Sequence, residues 1–175
     1  GFFLTGNESE ELIYRPKEVY DGATPSGNSV AGYVLQKIAH ITANPKYKEY
    51  ADKQLRFLAG QAKNYPAGYC FAQLTFLRAL YPSKEIICLV NNKDDNITTA
   101  KTVKRHPQEN PEFEDLKEYM ASHYNPNMIV LVITEQNQEE LQKLSEYVKD
   151  YHTINDKTTY YICENHRCLA PVNKL

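Results

Sequence analysis

The spacing of apolar residues changes once along this chain, at Pro82, and that change limits the fold more than any single motif. Before Pro82 apolar residues recur every three or four positions; after it they come as short unbroken runs. The first pattern suits helices packed along one face, the second suits strands buried on both sides of a sheet. At 175 residues the chain has room for one ordinary domain or for two small units sharing an interface. The expected division is residues 1–82, extended at first and then helical, and a small α/β unit over 83–175 packed against it.

Within the first part, Phe2-Phe3-Leu4 and Leu12-Ile13-Tyr14 read as two extended segments joined by an acidic turn, with Arg15-Pro16-Lys17 ending any pairing. The stretch Asp21 to Ala31, DGATPSGNSVA, then crowds polar residues beside glycines and a proline, the composition of a shaped turn over a helix N-terminus. Thr24 can cap the helix and Pro25 fits its first position. Val30, Val34, Ile38 and Ile41 form one apolar row, widened by Ala31, Leu35 and Ala39, so this helix is expected to pack on two sides. Asn44-Pro45 starts a second helix with Tyr47, Ala51, Leu55, Leu58 and Ala62 on one face. Pro66 starts a third, with Cys70, Leu74, Leu77 and Tyr81 at helical spacing.

In the second part, Ile86 to Val90, Met128 to Ile133 and Thr158 to Cys163 read as strands. Asn110-Pro111 and an Asn137/Glu140 capping box each start an intervening helix. The expectation is a three-stranded, mainly parallel β-α-β-α-β sheet with both helices on one face and the helical half covering the other. The polar stretch Asn91 to Glu109 is long for a loop inside a compact domain.

Composition narrows the function classes. A net charge of -2 gives no general attraction to nucleic acid or anionic membrane, and the basic cluster Lys101 to His106 lacks interleaved aromatics. No apolar run reaches the roughly 20 residues that cross a bilayer, and a signal peptide is not recognisable. Four scattered cysteines are too few for a disulfide scaffold, so a reducing, cytoplasmic setting with packed or reduced thiols is the simpler expectation. Cys163-Glu-Asn-His-Arg-Cys168 could form a redox pair or hold a metal, but a closed zinc site needs four ligands and none is expected. No glycine-rich turn follows Val90 or Ile133, so no dinucleotide site and no cofactor are expected.

Three stretches together resemble a known family: GFFLTGNESEELIYRPKEVYDGATPSGNSVA, the AGQ..NYPAGY segment around Gly60 to Tyr69, and YYICENHRCLAPV. In order, from Gly1 to about Val172, they resemble the C-terminal portion of the YyaL-type thioredoxin-domain-containing proteins, bacterial relatives of the spermatogenesis-associated proteins. The resemblance implies a parent with a thioredoxin-like domain followed by an α/α toroid similar to those of N-acylglucosamine 2-epimerases. This chain would hold the last hairpins of that incomplete toroid and the α/β elements, and would be inactive alone. Should the parent be an enzyme, the toroid would be epimerase/isomerase-like or glycosidase-like. The polar insertion after Val90 departs from the family's expected pattern.

On that resemblance Asp21 would act as acid, base or sugar-hydroxyl acceptor, with Thr24, Ser26 and Asn28 hydrogen-bonding a polyol and Tyr20 and Tyr69, near Tyr65, as aromatic platforms. A plainer reading stands beside it: Thr24 or Ser26 is only an N-cap, Asp21 closes a turn, and the tyrosines are amphipathic packing residues. The expected partners are a carbohydrate and the thioredoxin-like domain of the parent chain, with self-association through uncovered helix faces between Val30 and Ile41. The competing function is a non-catalytic scaffold for the thioredoxin-like domain or another partner.

Overall fold

The computed structural model describes residues 1–10, 12–91, 114–164 and 167–175. The polar stretch from Asn92 to Glu109, the Asn110-Pro111 helix start and His166 lie outside the described residues. The chain divides into two compact units, Gly1–Tyr81 and Pro82–Leu175.

The first unit holds three helices: α1 (Gly27–Thr42), α2 (Pro45–Ala62) and α3 (Cys70–Leu80), the last preceded by a 3-10 turn at Pro66–Tyr69. Its N-terminal segment forms no strand among the described residues. Instead Arg15 clamps it, donating to the Thr5 carbonyl at 2.7 Å and to Thr5 Oγ1 at 3.0 Å, and Leu4 N–H donates to the Pro16 carbonyl at 3.0 Å. The residues expected to end the pairing therefore make it.

Helix α2 starts as its sequence dictates. Asn44 Oδ1 accepts the Lys46 N–H at 2.9 Å, Pro45 occupies the first turn, and Ala51, Leu58 and Ala62 are buried. Helices α1 and α3 depart from expectation in their facing. The buried residues of α1 are Asn28, Ser29 and Gly32, while Val30 and Val34 are exposed; those of α3 are Ala72, Thr75 and Arg78, while Cys70, Leu74, Leu77 and Tyr81 are exposed. Close approach explains the inversion, because a Cβ on Gly32 would lie 2.7 Å from Leu58 Cδ1 and 3.2 Å from Thr75 Cγ2. The helices meet through small and polar side chains around the buried Leu58, and Val30, Val34, Leu74 and Leu77 turn outward.

Among its described residues the second unit forms a mixed four-stranded sheet, not a mainly parallel three-stranded one. Its strands are β1 (Lys84–Leu89), β2 (Met128–Ile133), β3 (Thr159–Glu164) and β4 (Arg167–Cys168), in the order β2-β1-β3-β4. β1 pairs parallel with β2 and antiparallel with β3. After β2 comes α5 (Gln138–Leu144) and a 3-10 turn at Glu146–Asp150. Seven helical residues advance only about 10 Å, against roughly 20 Å for a six-residue strand. The chain returns to the end it left, since Leu89, Ile133 and Tyr151 line one cavity, and β3 must then run back antiparallel.

The covering of the sheet also differs from expectation. On one face Ile86, Cys88 and Val90 pack with Leu116 of α4 (Glu114–Ser122) and with Tyr160; on the other Ile87, Leu89 and Ile133 pack with Val148 of the 3-10 turn and with Leu141. The helical connections thus lie on opposite faces, and this unit supplies its own cover. The expected Asn137 capping box is replaced by a fold-back: Asn137 Oδ1 accepts the Thr134 N–H at 2.8 Å and its amide donates to the Val132 carbonyl at 3.0 Å. Among the described residues no helix is long and apolar enough to cross a membrane.

Gly32→Ala should destabilise the helical unit by about 1–3 kcal/mol through overpacking against Leu58 and Thr75, read as a lower urea midpoint. An unchanged midpoint would show that the helices approach less closely than this.

Candidate functional site

The turn from Asp21 to Asn28 is built around one carboxylate. Asp21 Oδ1 accepts the Ser26 N–H at 2.8 Å, and Oδ2 accepts the N–H groups of Phe71 at 2.9 Å and Ala72 at 3.1 Å and the Ser29 hydroxyl at 3.1 Å. Its backbone N–H donates to the Gly68 carbonyl at 2.9 Å. Phe71 and Ala72 are in the first turn of α3, whose N-cap residue, Tyr69, makes no side-chain capping bond. Asp21 caps that helix from far away in sequence, satisfying donors that every helix start leaves over.

The start of α1 falls to Ser26 rather than Thr24. Ser26 Oγ accepts the Ser29 N–H at 3.1 Å and lies 3.1 Å from the Val19 carbonyl and 2.9 Å from Ser29 Oγ. Thr24 is exposed, and Gly27, not Pro25, opens the helix.

Asn28 is equally occupied. Its Oδ1 accepts the Phe2 N–H at 2.7 Å and the Gln54 amide at 3.0 Å, while its own amide donates to the carbonyls of Phe2 at 3.0 Å and Glu18 at 2.7 Å. It bonds Phe2 on both sides, as a neighbouring strand would. The relative exposures of Asp21, Ser26 and Asn28 are 8%, 5% and 3%.

Burial raises the Asp21 carboxyl, but the backbone bonds from Ser26 and Ala72 and the hydroxyls of Ser29 and Ser26 outweigh it, so its pKa falls below the ordinary aspartate value. A carboxylate this well supplied with donors is a poor base, because taking a proton would break the bonds that hold it. Three of the residues expected to serve a ligand lie in this turn, and their polar atoms are engaged by neighbouring side chains and the backbone.

The tyrosines are placed differently. Tyr20 and Tyr65 are exposed and flank Gly68, where a Cβ would lie 2.7 Å from Tyr65 Cδ1 and 2.8 Å from Tyr20 Cε2. Tyr69 meets Tyr20 edge to face, with ring centroids 6.4 Å apart.

A concave feature, not singled out in the sequence, lies at the carboxyl ends of β1 and β2. It encloses about 250 Å³, with Asn91, Thr134, Glu135, Gln138, His152 and Thr153 as its polar lining. Carboxyl ends of parallel strands are common ligand sites, and the ends of the two apolar runs could have pointed there. The thiols also differ from expectation: Cys163 and Cys168 form a disulfide, while Cys70 and Cys88 are free, exposed and buried respectively. Burial, only partly offset by a hydrogen bond with Tyr160, pushes the Cys88 thiol up to about 12, so it stays protonated in the core.

No protein-family model, curated protein or solved structure matches this chain.

Asp21→Ala should cost about 3 kcal/mol of stability, because buried N–H groups lose a charged acceptor. The acid dependence has a fixed sign. With the folded pKa below the unfolded one, the Asp21 contribution is complete above about pH 4 and is lost as pH falls through the folded value. The stability difference between parent and Asp21→Ala, read by urea titration, should therefore shrink in strong acid; a constant difference down to the lowest pH would contradict the role.

Proposed function

We propose that this chain is a structural part of a YyaL-type protein, its helical unit forming one wall of a larger α/α body and carrying no catalysis of its own. The observation that supports this reading is the outward facing of the apolar rows: Val30, Val34, Leu74, Leu77 and Leu80 are 38%, 41%, 42%, 45% and 78% exposed. A helix with its apolar side outward is stable when further helices cover that side. An incomplete toroid has that surface, and neighbouring hairpins of the parent would cover it. In this reading the Asp21 turn sets where α1 and α3 begin, and it supplies no acid or base.

A second reading rests on the tyrosines. Tyr20 and Tyr65 expose aromatic surface on either side of Gly68, and carbohydrate rings stack on such surfaces. Should the wall carry sugar contacts, they are on this rim and not at Asp21.

Sedimentation equilibrium tests the first reading: the chain should self-associate, and Val34→Lys with Leu77→Lys should return it to monomer without loss of helical signal. A parent chain that stays monomeric at high concentration would remove its basis. For the second, nuclear magnetic resonance titration with neutral mono- and disaccharides should shift Tyr20 and Tyr65 ring signals, with loss in Tyr65→Ala; an unmoved spectrum would rule out the rim.

A further inference from the structure

The outer edge of the sheet carries a disulfide between directly opposed residues. β3 and β4 are antiparallel, and their register sets Cys163 against Cys168. β4 is only two residues long and is the last strand in the order. The two sulfurs stand in different surroundings, since Cys163 is 0% exposed whereas Cys168 is exposed. A thiolate opens a disulfide by attacking one sulfur and expelling the other, so access decides which sulfur leaves. A dissolved thiol reaches Cys168 first, which makes Cys163 the leaving group.

A hydroxyl stands beside both sulfurs. Tyr151 Oη lies 3.9 Å from Cys163 Sγ and 3.7 Å from Cys168 Sγ. Its ring is held edge-on between Tyr147, at 6.0 Å between centroids, and Tyr161, at 4.7 Å, and the Tyr161 hydroxyl donates to the His152 carbonyl at 2.8 Å. Burial first, then Tyr147, Glu85, Asp150 and Tyr161, pushes the Tyr151 phenol up to about 12, so it keeps its proton at neutral pH. A thiolate expelled into a buried position is costly unless a donor meets it, and Tyr151 is placed to do so.

We propose that Cys163 and Cys168 form a redox site that exchanges with a dithiol, opened at Cys168 and assisted at Cys163 by the Tyr151 hydroxyl. A thiolate of the dithiol attacks Cys168 Sγ. The bond between that thiol and Cys168 forms as the Cys163–Cys168 bond breaks, and the electron pair passes to Cys163 Sγ. Tyr151 donates a hydrogen bond to the new thiolate, which takes a proton from solvent. The second thiol of the dithiol loses its proton to solvent and attacks its partner sulfur in the mixed disulfide, releasing Cys168 as a thiolate that solvent protonates. Two electrons pass from the dithiol, which ends as a disulfide, to the protein, which ends with two thiols.

The surroundings permit opening without unfolding. Beyond the bridge the tail stays tied to β3 and the residue before it: Val172 N–H donates to the Tyr160 carbonyl at 3.0 Å, Tyr160 N–H to the Val172 carbonyl at 2.8 Å, and the Asn173 amide to the Thr158 carbonyl at 2.9 Å.

The test uses the full chain with Cys70→Ser, which removes the exposed free thiol, equilibrated in graded mixtures of reduced and oxidised dithiothreitol without denaturant. Maleimide mass shifts report the thiols and circular dichroism reports the fold. The pair should open and close reversibly with the spectrum unchanged, and Tyr151→Phe should slow opening about fivefold, the loss of one hydrogen bond. With oxidised glutathione, Cys163→Ser should form the mixed disulfide at least about tenfold faster than Cys168→Ser, because only the former leaves the accessible sulfur. Thiols that appear only in unfolding urea would make the bridge a structural staple and overturn the proposal. Equal rates for the two serine variants, or an unchanged rate in Tyr151→Phe, would overturn the assigned direction or the assistance. Where a serine variant does not fold, the dithiothreitol titration still decides whether the bridge is exchangeable.

Discussion

One carboxylate holds the helical unit in order. Asp21 accepts hydrogen bonds from the N–H of Ser26 at the start of α1 and from Phe71 and Ala72 at the start of α3, so two helix N-termini converge on a single negative charge. Helix dipoles and unpaired N–H groups both favour an anion there. A neutral or apolar residue would leave buried donors without partners, which is why a charge persists where exposure is only 8%. The same bonds explain why this aspartate is a poor candidate for acid–base chemistry: its lone pairs are already engaged by the protein.

The rest of the helical unit follows from how closely the helices then approach. Gly32 leaves no side chain between α1 and its neighbours, and Gln54 of α2 reaches the Asn28 carbonyl at 2.9 Å. Small and polar residues fill this contact around Leu58, and Thr75, Ser29 and Leu58 are fully buried within it. The apolar residues are displaced to the outer sides of α1 and α3. A polar, hydrogen-bonded interior fixes one arrangement, and the apolar exterior is the surface on which the proposed wall function rests.

The sheet unit obeys the more familiar rule. β1 is central, and its alternate residues enter separate apolar clusters on the two faces. Its antiparallel neighbour β3 carries the short edge strand β4 and the disulfide, so chemistry sits at the margin of the sheet while the middle is closed by packing. A buried sulfur on β3, an exposed one on β4 and a fixed phenol nearby arise from strand register, which brings Cys163 and Cys168 face to face.

Local signals in the sequence determined where the three helices of the first unit lie, the Asn44-Pro45 start, the three longer strands and the change of apolar pattern near Pro82. These depend on neighbours within a few positions, through caps, proline geometry and apolar runs. The gathering of Asp21, Ser26 and Asn28 into one turn was also legible there. Only the tertiary structure decided which face of α1 and α3 turns inward, since periodicity locates an apolar row without saying what covers it. It decided the antiparallel course of β3, set by a short α5 and a return to the same end of the sheet. It decided the state of the cysteines, because register and not spacing brings two sulfurs together. It decided the work of Asp21 as well: partners some fifty residues away, at Phe71 and Ala72, make that carboxylate a cap for α3.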